Sequence, residues 1–227
     1  MKIYFVRHGH PDYANDCLTE LGKRQAKAAA ERLSGKGIER VYSSTKGRAL
    51  ETAEHTARRL GLEVIPCDFM REIGWASIDG EPILANGHPW RLSEALAAQG
   101  RDLTDPLWTE KEPFSKSRLV DCCDTVARGL DAWLETLGYR REGNYYRVLG
   151  GGPGTVAMFS HGGSSIAAMA HLFNIPFPLL IGLHPIGFTG ITAVSLSDGA
   201  GELVFPKLLS SDAEHIAGLE AELVFNN

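Results

Sequence analysis

The stretch TVAMFS, residues 155–160, places four apolar side chains in a row with no polar alternation. A strand with one wet face would alternate, so an apolar run of this length must be covered on both sides, as inside a parallel sheet. KIYFV at 2–6 has the same character, and ERVYSS (39–44) and LEVIP (62–66) read as shorter strands. Helical patterns separate them. In LTELGKRQAKAAAERLSGKG (18–37), Thr19 can cap a helix that carries Gly22, Ala26, Ala29, Ala30 and Leu33 on one face. Residues 46–60 carry Ala49, Leu50, Ala53, Ala57 and Leu60 on a stripe that Gly61 ends, and 121–137 form a third amphipathic helix. SSIAAMAHLF follows the 155–160 strand, and GITAVSLS (190–197) and ELVFPKLL (202–209) close the chain as late strands. This alternation predicts an α/β three-layer sandwich, a mostly parallel central sheet with helices on both faces.

Residues 74–120 interrupt the rhythm with Pro82, Pro89, Pro106 and Pro113 among Trp75, Trp90 and Trp108. A long irregular stretch inside a compact domain is more often a lid than a linker. The reading is one domain, 1–227, with 74–120 as a substrate-cap insertion. GGGPG (150–154) reads as a turn.

At 227 residues the chain can bury enough apolar surface to fold without staples, and 44% hydrophobic against 22% charged residues is an ordinary globular balance. A net charge of −5 argues against a general nucleic-acid-binding surface and leaves room for a small cationic pocket. The four cysteines form no C-x-x-C pair, which favours free thiols in a reducing compartment. MKIYFVRHG is too short in apolar residues for a signal-peptide core, and no stretch approaches the roughly 18 apolar residues of a membrane span. A cytoplasmic protein without membrane or nucleic-acid partners is expected, with a homodimer left open.

Polar, chemically capable residues stand where three of the strands stop: Arg7-His8-Gly9 after IYFV, Arg48 in the first turn after YSSTKG, and Ser160-His161-Gly162-Gly163 after VAMF. Ligands of open α/β sheets bind at the carboxyl ends of strands, so these segments would deliver two arginines and two histidines to one sheet edge. Arginine forks match phosphate oxygens, and the helix opening at Gly162 offers free N–H groups to an anion. A neutral imidazole, with an ordinary pKa near 6.5, is a nucleophile, and nearby arginines would lower that value further. Glu72, in MREIGWASIDG, supplies a proton donor, its carboxyl raised by neighbouring phosphate charge.

A different reading takes His8-Gly9-His10 as a metal pair at the end of a first barrel strand. It needs further ligands on later strands, a longer chain, and tolerance of Arg7 beside the metal.

VRHGH, LTELGKRQA, VYSSTKGRALETA, MREIGWASIDG and FSHGG, in this order, resemble the successive motifs of the histidine phosphatase superfamily, its phosphoglycerate-mutase-like branch. The resemblance covers roughly residues 2–80 and 120–200. It implies that His8 is the phosphorylated nucleophile, Glu72 the proton donor, and Arg7, Arg48 and His161 the phosphate pocket, with no metal or other cofactor. A small phosphorylated metabolite is the implied partner. Gly9, His10, Asn15, Gly162 and His184 are candidate substrate-binding residues. The sequence departs from the family where His10 and Pro11 follow RHG, where Asn15 falls one place late, and where Ala76 replaces a glycine. These departures bear on substrate identity. The implied activity is metal-independent phosphomonoester hydrolysis. A mutase would need a denser cationic rim than the insertion supplies, and a binding-only module would have lost the nucleophile or a pocket arginine.

Overall fold

The computed structural model describes residues 1–75, 83, 91–217 and 219. In chain order these form β1 (Lys2–Arg7), β2 (Pro11–Asp12), β3 (Cys17–Leu18), α1 (Glu20–Leu33), β4 (Arg40–Ser43), α2 (Gly47–Leu60), β5 (Val64–Pro66), α3 (Leu92–Ala98) and α4 (Arg118–Thr136). There follow β6 (Tyr139–Glu142), β7 (Tyr145–Val148), β8 (Thr155–Ser160), α5 (Gly162–Phe173), α6 (Phe177–Leu183), β9 (Ile191–Ser195), β10 (Leu203–Val204) and β11 (Lys207–Asp212).

The central sheet runs β11-β9-β1-β8-β4-β5. From β1 to β5 the strands are parallel, and β9 and β11 add antiparallel at the other side. The apolar runs are covered on both faces, as their composition requires. Ile3 and Phe5 of β1, with Val156 and Met158 of β8, enter a core shared with α4, α5 and α6. Tyr4, Val6, Ala157 and Phe159 point the other way, into a second core against Leu33 of α1 and Ala53 and Ala57 of α2. The sandwich has three layers, and the mostly parallel reading holds.

Local signals set the helix ends. Thr19 accepts the Gly22 N–H at the start of α1, and Gly61 ends α2 in the left-handed region at φ 69°. The late strands divide: β11 edges the main sheet, while β10 pairs with β7 in a separate sheet ordered β10-β7-β6. GGGPG links β7 to β8.

The described part of the 74–120 stretch is more regular than its composition suggests, since α3 and two single 3-10 turns lie within it. Trp108 packs edge-on to Phe114 and stacks on Phe177, and Trp75 also leans on Phe177, so both rings serve packing. Trp90 and Ala76 lie outside the described residues. Among the described residues, no single helix is long and apolar enough to cross a membrane.

Candidate active site

Parallel pairing brings the motifs together. Arg7 ends β1 in register with Ser160 of β8, and Ser43 ends β4 in register with Phe159. His8, Ser44 and His161 are therefore the first residues past three adjacent strand ends, the position at which open sheets bind ligands. The His8 N–H continues the ladder to the Ser160 carbonyl, and the Ser44 N–H reaches Phe159.

His8 is buried, and its Nδ1 lies 2.7 Å from its neighbour's Gly9 carbonyl. A carbonyl only accepts, so Nδ1 carries the proton and Nε2 presents its lone pair. Burial holds the imidazole well below its ordinary pKa, with His161 and Arg7 adding to the effect and the Gly9 carbonyl opposing it. Arg48 Nε donates to His8 Nε2 across 3.2 Å, so a permanent cation sits directly at the lone pair.

Arg7 is buried and anchored by a 2.6 Å bond from one terminal nitrogen to the Ile186 carbonyl. Phe188 lies against its guanidinium, 4.3 Å from ring centroid to Cζ. Burial draws the Arg7 pKa down, while Glu72 and a hydrogen bond from Arg7 to the Tyr13 phenol work the other way.

His161 caps α5 and is fully buried. Its Nε2 lies 2.8 Å from Ser44 Oγ, and its Nδ1 is buried without a hydrogen-bond partner among the described residues. The two histidine rings meet edge-on at 5.1 Å. Burial, then Arg48 and Arg7, then Lys46 and Arg71 hold His161 well below its ordinary pKa.

Glu72 reaches the same end of α5, where Oε1 accepts the Ser164 N–H at 3.1 Å and that of Ile73 at 3.1 Å. A Cβ on Gly163 would come within 2.7 Å of that oxygen, so the second glycine of HGG makes room for the carboxylate. Burial raises the Glu72 pKa, against the lowering pull of Arg7 and the two N–H groups. The arrangement is thus an imidazole nitrogen with its lone pair free, two arginines, a second buried imidazole, and a carboxyl biased toward its acid form.

The other sequence candidates fall differently. Gly162 opens α5 and is buried at its first turn. Gly9 gives its N–H to Thr52 Oγ1, and a Cβ there would lie 2.7 Å from the Gly22 carbonyl, so its smallness serves the approach of α1. His10 turns away from His8, its Nδ1 bonded to Thr19 Oγ1 at 2.9 Å and its ring edge-on to Phe188. Asn15 is exposed and its amide donates to Asp12. His184 follows α6 and bonds Thr192 and Ser211, neither of which belongs to the cluster.

The structure adds residues that sequence reasoning missed. Ser44 stood inside the quoted VYSS, and its place after a strand end was the available signal. Phe188, Tyr13 and Asp16 join the site through loops. Asp16 pairs with Arg48 at 2.5 Å, and the Tyr13 ring lies 5.4 Å from the Arg48 Cζ.

Comparison with known proteins agrees with this geometry. A model of the histidine phosphatase superfamily (branch 1) matches residues 3–207. A probable phosphoglycerate mutase of Yersinia pestis (strain Pestoides F) is 32% identical over 92 residues, which is 37% of this chain and 43% of the mutase. The chain thus spans less than half the length of that relative. The native structure of a mycobacterial glucosyl-3-phosphoglycerate phosphatase is similar at TM-score 0.63 and 27% identity, covering 92% of this chain and 96% of that one. A phosphoserine phosphatase mutant of Entamoeba histolytica, in complex with phosphoserine, shares the fold at TM-score 0.61 and 22% identity, over 95% and 98% of the two chains. With the family pattern running from β1 to the start of β11, this chain belongs to the histidine phosphatase superfamily.

Proposed function

We propose that this protein is a metal-independent phosphomonoesterase for a small phosphorylated metabolite, working through a phosphohistidine on His8. The observation that carries the reading is the state of His8. Its proton is held on Nδ1 by Gly9, and its Nε2 lone pair faces a guanidinium. Phosphate oxygens that displace the Arg48 Nε–H from Nε2 would take up that donor as they bring phosphorus to the nitrogen. Arg7, Arg48 and the open Nδ1 of His161 then stabilise charge as it spreads over the equatorial oxygens.

Nε2 forms the bond to phosphorus while the bond to the ester oxygen breaks, and Glu72 gives that oxygen its proton. In the second half a water attacks the phosphohistidine, its proton passing to the Glu72 carboxylate, and inorganic phosphate leaves. The insertion 74–120 is assigned as the substrate cap because it begins two residues after Glu72.

Phosphatase is preferred to mutase on the full-length similarity to a phosphatase at 27% identity, against a mutase match covering 37% of this chain. The test is hydrolysis of p-nitrophenyl phosphate and a panel of metabolite phosphates in EDTA, with trapping of labelled protein by an alkaline quench. Wild type should accumulate an acid-labile, base-stable phosphoryl label that His8→Ala lacks. Undiminished hydrolysis by His8→Ala would overturn the mechanism. Efficient 2,3-bisphosphoglycerate-dependent interconversion of phosphoglycerates would replace phosphatase by mutase.

A further inference from the structure

Strands β2 and β3 form a small hairpin whose tip, residues 13–16, lies against the phosphate-binding arginines. Phosphate chemistry explains why Arg48 is present but not what aims it. A free arginine side chain loses rotamer entropy when held in one geometry. We propose that Asp16 is a positioning residue for Arg48, its carboxylate fixing one edge of the guanidinium so that Nε faces the nucleophilic nitrogen of His8.

Both carboxylate oxygens are engaged. Oδ1 pairs with an Arg48 terminal nitrogen at 2.5 Å, and Oδ2 accepts the Gly47 N–H at 2.9 Å. The carboxylate is therefore referenced to the backbone that opens α2, one residue before the arginine it holds. On its other edge Arg48 meets His8 Nε2 at 3.2 Å, which completes a carboxylate–guanidinium–imidazole relay.

The backbone is shaped for this contact. Asp16 adopts φ 50°, a left-handed conformation that aspartate tolerates better than most residues. A Cβ on Gly47 would lie 2.2 Å from the Asp16 carbonyl, so only glycine permits the approach. The Leu18 N–H donates to Glu51 at 2.6 Å and ties the hairpin to α2. Asn15 braces the tip from within, bonded to Asp12, which leaves Asp16 to face the arginine.

The pair has a second consequence. The Arg48 side chain is 9% exposed and that of Asp16 36%, so their attraction is screened less than a surface pair's. Asp16 thus offsets part of the charge that Arg48 shows to a bound anion while keeping its direction. Orientation should favour the transition state, and the offset should favour release of product phosphate.

The test compares wild type, Asp16→Asn and Asp16→Ala. The asparagine keeps one acceptor oxygen for the Arg48 N–H, sets an NH2 where the Gly47 N–H had its acceptor, and removes the charge; the alanine removes both acceptors and the charge. The Arg48 Nε–H resonance, followed by NMR in the unliganded protein, should exchange slowly in wild type and Asp16→Asn and lose protection in Asp16→Ala. With p-nitrophenyl phosphate, Asp16→Ala should lose at least tenfold in kcat, and Asp16→Asn should recover to within about threefold of wild type. The inhibition constant of inorganic phosphate should fall severalfold in Asp16→Asn. Unchanged Nε–H protection in Asp16→Ala, or equal loss of kcat in both variants, would overturn the assignment. The kinetic arms rest on the proposed phosphatase activity, whereas the resonance does not. A wild type that hydrolyses no phosphomonoester would sink the activity and leave the Asp16 question decided by NMR.

Discussion

Ser44 Oγ lies 2.8 Å from Nε2 of His161 and also accepts the Lys46 N–H at 3.3 Å. A hydroxyl has one proton and two acceptor lone pairs, so the contact with Nε2 admits either direction; with Ser44 as the donor, the imidazole proton resides on Nδ1. In that tautomer the buried Nδ1, which has no hydrogen-bond partner among the described residues, is an N–H donor held ready for an oxygen. Ser44→Ala should leave the fold intact and free the ring to take the other tautomer. A loss of about tenfold in kcat/KM is expected, roughly 1.4 kcal/mol of transition-state stabilisation. Steady-state kinetics with p-nitrophenyl phosphate checks it, and an unchanged kcat/KM would mean that packing alone fixes the ring.

Glu72 predicts a dependence on the leaving group. Burial raises its pKa, and Arg7 with the Ser164 and Ile73 N–H groups restrains the rise. The acid form is therefore lost at a pH above the group's ordinary value, and kcat/KM should fall on the alkaline side. Glu72→Gln should abolish that limb. It should cost an alkyl phosphate 10²-fold or more, while p-nitrophenyl phosphate, whose leaving group needs little protonation, loses much less. Equal losses on the two substrates would remove Glu72 from the role of acid.

The legible part of the site was the part that strands deliver. Arg7-His8 and His161 follow apolar runs whose ends a parallel register aligns, so composition and order were enough to bring them together. Arg48 was legible as a first-turn helix residue. Asp16, Tyr13 and Phe188 were not, because each arrives on a loop whose path depends on turns and long-range packing. Asn15, one residue from Asp16, shows how little separates a hairpin brace from a residue that touches the site. The left-handed backbone at Asp16 decides which of the two faces Arg48, and no periodicity records it. The helix α3 was missed for a related reason: seven residues among prolines and tryptophans give too short a pattern to separate from loop.

Gly9 and Gly22 mark a close backbone crossing beside His8. A Cβ on Gly22 would sit 2.2 Å from the His10 carbonyl, and one on Gly9 would sit 2.7 Å from the Gly22 carbonyl. Neither neighbour is a flexible side chain, so α1 must move away from β1. Gly22→Ala should destabilise by about 1–3 kcal/mol or more in urea unfolding. Gly35→Ala, where a Cβ meets nothing within 4 Å, should stay within about 0.5 kcal/mol of wild type. A Gly22→Ala variant as stable as Gly35→Ala would show that the crossing has slack.

The buried histidines make stability depend on pH in a defined window. His8 and His161 are both held well below the ordinary value, chiefly by burial. Below about pH 6.5 the unfolded chain takes up protons that the folded protein refuses. Their contribution is therefore complete above that pH and is lost as the pH falls, by up to about 1.4 kcal/mol per pH unit for each histidine. His184 and His215, also lowered by burial, act in the same direction. Glu72 acts in the opposite one. Its folded value lies above the unfolded value, so its contribution is present at low pH and disappears as the pH rises through the folded value. Between about pH 4.5 and 6.5 the effects oppose each other, and the histidines outnumber the carboxyl. Urea midpoints should fall from pH 7 to 5 in wild type, fall more steeply in Glu72→Gln, and flatten in His8→Asn. A His8→Asn profile parallel to wild type would show that His8 titrates in the folded protein as it does in the unfolded chain, against the lowering that its burial predicts.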